Sequence, residues 1–186
     1  MGCPPEVPVT GERKNVKIFG AIDLWRTRFH YAQNTVFNAS TYGAFLEQLG
    51  RHYRRRGAML IQDNASYHKD KDIWSWFKSH RDWLEVHQLP AYCPELNPTE
   101  RLWQHTRKTG THNRFFATVT ELAATVTRVF TDMQRFPTHI QATWHLFVDL
   151  YVPLIMRGCI EPHRHIGQSL RPRNPVSLLT PACIVG

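Results

Sequence analysis

Asp63 and Glu100 are the side chains best suited to chemistry, because hard cations such as Mg²⁺ are held by one or two carboxylates together with water and phosphate. Asp63 directly follows the apolar run Ala58–Gln62, and in open α/β sheets functional groups gather at the carboxyl ends of strands. Asn64 beside it can supply an oxygen or a hydrogen bond. His68 can contact a phosphate or orient a metal-bound water. Glu100 falls in the first turn of a helix that follows the next strand, so a βαβ return can carry it back beside Asp63. Two carboxylates converging from a strand end and a helix start suit metal-assisted phosphoryl transfer. Each residue also has a plainer explanation. Asp63 can cap the turn after it, Glu100 can close a capping box with Asn97, and His68 can be an ordinary surface histidine.

The elements that must position these groups are legible from spacing. Val16–Ile22 and Thr27–Gln33 read as two strands joined through Asp23-Leu24-Trp25-Arg26. Tyr42, Phe45, Leu46, Leu49 and Tyr53 recur at helical spacing behind the candidate caps Asn38 and Ser40, and that helix runs into Arg54-Arg55-Arg56. Such cations either complement the helix dipole or contact DNA. Ala58–Gln62 predicts a strand buried on both faces, Ile73, Trp74 and Phe77 a helix, and Leu84–Leu89 another strand. Trp74, Trp76, Phe77 and Trp83 are expected to pack rather than to stack on bases. Asn97 followed by Pro98 starts a helix extending to about Lys108, and Thr118 with Glu121 starts another through Leu122, Val126, Val129, Phe130 and Met133. Two antiparallel strands followed by βαβ elements predict a mixed α/β sheet flanked by helices.

A chain of 186 residues, 42% hydrophobic and 20% charged, has the apolar surface for one core and is not a disordered polyelectrolyte. Residues 1–150 read as the folded body. Residues 151–186 hold Pro153, Pro162, Pro172, Pro175 and Pro181 without periodicity and read as a basic tail, loop or disordered. The formal charge of +8 favours polyanionic partners. Cys3, Cys93, Cys159 and Cys183 are widely spaced and form no C-x-x-C pair, so they suggest neither a zinc module nor a dense disulfide framework, and reduced thiols are expected. No apolar run approaches the roughly 18 residues of a membrane span. The expected compartment is the cytoplasm, with no membrane partner.

The segments Gln62-Asp63-Asn64-Ala65-Ser66-Tyr67-His68 and Leu89-Pro90-Ala91-Tyr92-Cys93-Pro94-Glu95-Leu96-Asn97-Pro98-Thr99-Glu100-Arg101-Leu102-Trp103 together resemble the motifs of mariner-like DDE transposases, particularly bacterial insertion-sequence members. Similarity extends from about Pro4 to Phe147. The resemblance implies a ribonuclease-H-like fold and an Asp-Asp-Glu triad that holds two divalent ions, Mg²⁺ or Mn²⁺, for DNA strand cleavage and transfer. By motif position Asp63 corresponds to the second Asp and Glu100 to the Glu, both as metal ligands, while Cys93 stands where the family commonly has Ser. The family's first Asp lies on a central strand, antiparallel to Val16–Ile22 and parallel to Ala58–Gln62, upstream of the region resembling Pro4 to Arg13. That strand is expected to be missing from this fold.

Asp23 is a poor substitute. It ends a strand running opposite to the one that Asp63 ends, and a six-residue strand spans about 20 Å against the roughly 3.5–4 Å between paired catalytic metals. The expected function is therefore that of the C-terminal portion of a transposase catalytic domain. The alternative is a catalytically inactive remnant that binds DNA or transposase; an unrelated metal-dependent phosphohydrolase is a third reading. Expected partners are DNA, as element ends and target, and the chain itself or full-length transposase.

Overall fold

The computed structural model describes residues 14–24, 26–90 and 97–138, together with the backbone of 178–179 and 182–185. Strand β1 (Asn15–Asp23) alternates its side chains between two cores: Val16, Ile18 and Ile22 enter one, Phe19 and Ala21 the other. Both of its faces are covered. It pairs antiparallel with β2 (Arg28–Asn34) from Lys17↔Asn34 to Asp23↔Arg28, around a tight turn in which Thr27 adopts φ 51°. The first strand thus reaches Asp23, one residue beyond the expected end.

Helix α1 (Ala39–Tyr53) begins in a reciprocal capping box between Asn38 and Thr41. All five of its periodic apolar residues, Tyr42 to Tyr53, are buried. After the Arg54–Arg56 turn, Gly57 at φ 79° reverses the chain into β3 (Ala58–Gln62), a conformation that disfavours any residue with a Cβ. A short 3-10 turn (Ser66–Lys69) leads to α2 (Lys71–Ser79) and then β4 (Leu84–Gln88), parallel to β3 in register from Ala58↔Leu84 to Gln62↔Gln88. This is the expected βαβ unit. Phe77 and Trp83 are buried, with Trp74 and Trp76 packed against the same core.

Helix α3 (Pro98–Thr106) ends slightly earlier than expected and passes into a wider π-type turn, Arg107–Thr111. There Gly110 lies against Val129 so closely that a Cβ would stand 3.0 Å from its methyl group. Helix α4 (Val119–Arg135) starts at Thr118, whose hydroxyl accepts from the Glu121 N–H. Helices α1 and α2 cover one side of the strands, and α3 and α4 the other. The result is a mixed α/β architecture of two small sheets flanked by helices, consistent with a ribonuclease-H-like fold. No described helix is long and apolar enough to cross a membrane.

The edge of β1 away from β2 is also paired. Strand β5 (Leu178–Leu179) and strand β6 (Ala182–Val185) run antiparallel to it, at Ala21↔Leu179 and Ile22↔Leu178 and from Asn15↔Val185 to Ile18↔Ala182, and β5 lies alongside β3. These strands fall in the segment expected to be loop or disorder. Their physical cause is non-local: an open β1 edge presents unpaired amides and carbonyls, and even a two-residue and a four-residue strand can satisfy them. The 150/151 boundary and Cys93 lie outside the described residues.

Candidate functional site

The exit of β3 assembles three of the four residues singled out in the sequence. One carboxylate oxygen of Asp63 accepts the Ala65 N–H at 3.0 Å, the self-capping arrangement of an Asp at a turn, and lies 3.2 Å from His68 Nδ1. His68 Nδ1 is also 2.8 Å from the Asp63 carbonyl oxygen, which can only accept, so Nδ1 carries the proton. The Asn64 amide donates to the Leu89 carbonyl at 2.8 Å and thereby laces the exit of β3 to the exit of β4. The Asp63 side chain is 35% exposed.

His68 differs from a surface histidine. Its side chain is fully buried, wedged between the rings of Tyr42 and Tyr67 at 4.5 and 4.6 Å, and its described polar contacts are with Asp63. Beneath it the Tyr42 hydroxyl donates to Gln62 Oε1 at 2.6 Å, and burial pushes that phenol well above its ordinary pKa, with Tyr67 and Asp63 adding to the shift. Tyr42 and Gln62 therefore brace the strand end. Tyr42 carries an apolar-stripe signal in the sequence, but nothing local marks the partner of its hydroxyl.

Glu100 is placed by the helix that carries it. Asn97 caps α3 by accepting from both the Thr99 N–H and the Thr99 hydroxyl, at 3.0 and 2.6 Å, so the cap is made with Thr99. The Glu100 carboxylate is half-buried and has no hydrogen-bond partner among the described residues. Three residues on, Trp103 is fully buried and anchors the helix against β1, meeting Phe29 and Phe130 with ring centroids 5.9 Å away in each case. Gly20 of β1 makes room for it: a Cβ there would come within 2.7 Å of the indole and 2.9 Å of Phe29.

Asp23 has other duties. Its side chain is buried, it accepts the Arg26 N–H at 3.1 Å and the Tyr53 hydroxyl at 3.1 Å, and that hydroxyl in turn pairs with His30 Nε2 at 2.9 Å. Tyr53 closes α1 shortly before β3 starts, so this chain of bonds sits where β3 begins and Asp63 where it ends. Burial, followed by the charges of His52 and Arg28, lowers the His30 pKa from 6.5 to about 4. A histidine depressed in the fold contributes stability that is present above its unfolded pKa and is lost as pH falls from about 6.5 towards 4. The expected loss is on the order of 3 kcal/mol. Urea midpoints at pH 7.5 and 4.5 should differ more for the natural protein than for His30→Gln, and equal differences would remove His30 as the cause.

Carboxylates are the right donors for Mg²⁺, but no three His, Cys, Asp or Glu side chains gather into a metal-holding group among the described residues. The side chains described do not fit a two-metal centre. What they provide is one half-exposed aspartate held in a fixed orientation and one unpartnered glutamate on a firmly anchored helix.

Comparison with known proteins gives the lineage. The profile of the DDE superfamily endonucleases matches residues 1–123. The chain is 26% identical over 137 residues to the insertion element IS630 uncharacterized 39 kDa protein of Shigella sonnei, covering 73% of this chain and 40% of that protein. It is 30% identical over 79 residues to the Tcb2 transposase of Caenorhabditis briggsae, covering 40% of this chain and 28% of that one. Against the Tc3 transposase of Caenorhabditis elegans it is 38% identical over 53 residues, or 28% of this chain and 16% of the relative. It thus spans less than half the length of these relatives. No solved structure matches it. The segment that carries β1 to β4, Asp63, Glu100 and Trp103 lies within the matched region, and the chain belongs to the DDE superfamily endonucleases.

Proposed function

We propose that this chain is a DNA- or transposase-binding member of the DDE family that does not cleave DNA by itself. The reading is carried by what lies between β1 and β3. The resemblance to mariner-like transposases puts the first Asp of the triad on a strand in that place, whereas here Leu178–Leu179 and Ala182–Val185 pair with β1 and contribute no carboxylate. Asp63 and Glu100 keep the family's second and third acidic positions. A sheet given an Asp-bearing strand in the central place would then have the full set for Mg²⁺- or Mn²⁺-dependent strand cleavage and transfer, the reaction the family resemblance implies. DNA, as element ends and target, and a transposase subunit that lends such a strand are the partners this reading assigns.

The test is nicking of a supercoiled duplex carrying the element ends, with Mg²⁺ or Mn²⁺, by the natural chain and by Asp63→Ala/Glu100→Ala. The two should be indistinguishable at background level, because two divalent ions need several anionic oxygens in fixed positions. Robust nicking by the natural chain that the double variant abolishes would overturn the proposal.

A further inference from the structure

Near the end of β3 away from Asp63 lies a depression of about 420 Å³ whose described lining includes five arginines. Arg28 comes from the start of β2, Arg51 and His52 from the last turn of α1, and Arg54, Arg55 and Arg56 from the turn that follows; all are exposed. We propose that this depression binds the phosphate backbone of duplex DNA, at a site separate from the Asp63 edge of the sheet. The proposal rests on the DNA-binding reading above and gives it a location.

Compensation of the α1 dipole does not account for the cluster. That effect falls off within the last helical turn, whereas Arg54–Arg56 lie beyond it and Arg28 belongs to a different element. Among the described residues Glu47 is the one acid in the lining, and its carboxylate already accepts the Trp76 indole N–H. Arg54 is partly engaged as well, donating to His80 Nε2 at 2.9 Å, which leaves Arg28, Arg51, Arg55 and Arg56 exposed and forming no ion pair among the described residues. The positive field reaches inward: His52 and Arg28 both disfavour a proton on the buried His30 ring, which lies 4.8 Å from the His52 ring.

The chemistry of the lining selects the ligand. Guanidinium forks match phosphate oxygens bidentately. Among the described residues no Phe, Tyr or Trp lines the depression, and a lining of guanidinium forks without a described stacking platform suits a paired duplex better than a single strand. Exposed arginines hold one small anion weakly, but a polymer of phosphates engages several at once and gains from counterion release. Phosphate contacts of this kind position a duplex without reading its sequence. Arg56 is separated from β3 by Gly57 alone, and Asp63 follows the other end of that strand, so about 17 Å of strand lies between the two sites.

The experiment measures binding of a fluorescent duplex of arbitrary sequence between 50 and 200 mM salt, by anisotropy, for three proteins. These are the natural chain, Arg51→Gln/Arg55→Gln/Arg56→Gln, and a charge-matched control, Lys108→Gln/Arg128→Gln/Arg135→Gln. Each lost phosphate contact flattens the slope of log affinity against log salt by about 0.9, so the arginine triple should lose about two to three units of slope. The control should lose less than one. Thermal unfolding checks that all three remain folded. Equal flattening in both triples, or none in the arginine triple, overturns the site while leaving DNA binding intact; no duplex binding by the natural chain overturns the reading on which it rests. Tighter binding of single strands than of duplex, or arginine-dependent binding of polyglutamate but not of DNA, also overturns it.

Discussion

Trp103→Ala is expected to destabilise the protein by about 3–5 kcal/mol, a large part of the stability of a domain this size. The indole is fully buried where α3 meets β1, touching Phe29 and Phe130, and its removal leaves a cavity in the core that also contains Leu102 and Leu122. Because Trp103 anchors the helix whose first turn bears Glu100, the change also loosens the carboxylate. Gly20 is the complementary half of this contact: Gly20→Ala drives a methyl group to within 2.7 Å of the indole and should cost about 1–3 kcal/mol by overpacking. The two changes should not add. With the indole gone the two tightest contacts of the new methyl vanish and Phe29, 2.9 Å from it, can shift into the vacated space, so the double variant should be more stable than the sum of the singles predicts, by at least 0.5 kcal/mol in a denaturant-unfolding cycle. Strict additivity would place the Gly20 constraint elsewhere than Trp103.

Much of this arrangement is readable from residue order because its signals are local. Ala58–Gln62 is a short apolar run ended by Asp63-Asn64, and the strand occupies those five residues. Asn97-Pro98 and Thr118 start their helices where cap chemistry places them. Local signals mislead where several partners compete for one group. Glu100 has the spacing of a capping-box acid, yet the Asn97 side chain takes its bonds from Thr99 and the Glu100 carboxylate has no hydrogen-bond partner among the described residues. His68 looks like a surface residue beside lysine and aspartate, and only the packing of Tyr42, from a different helix, shows that it is enclosed. Tyr53, read as part of an apolar stripe, uses its hydroxyl to hold Asp23 across the fold. The strands at Leu178–Leu179 and Ala182–Val185 are the extreme case. Each is too short and too close to proline to read as a strand alone, and its reason for forming is an open edge at the other end of the chain.

Ending the chain at residue 177 should therefore have the second large effect. Six residue pairs join β1 to β5 and β6, and losing their ladder bonds, each contributing about 1 kcal/mol net, should cost on the order of 5 kcal/mol. It also opens the β1 edge that β5 and β6 pair and uncovers the side of β3 beside β5, so the shortened chain should associate at concentrations where the natural chain does not. Sedimentation velocity at matched concentrations separates the outcomes. A shortened chain that stays monomeric and as stable as the natural one would mean that β5 and β6 contribute nothing to the sheet.

Amide hydrogen exchange along Asn15–Asp23 is the most direct measurement of whether strands without a carboxylate hold the central place. In an antiparallel pair alternate amides of β1 point towards β2 and the others away from it, and it is this second set that β5 and β6 must protect. The account predicts slow exchange for that set in the natural chain and fast exchange in the chain ending at 177, with the amides bonded to β2 less affected. Fast exchange of the outward set in the natural chain would contradict it, since the central place would then stand open to an Asp-bearing strand.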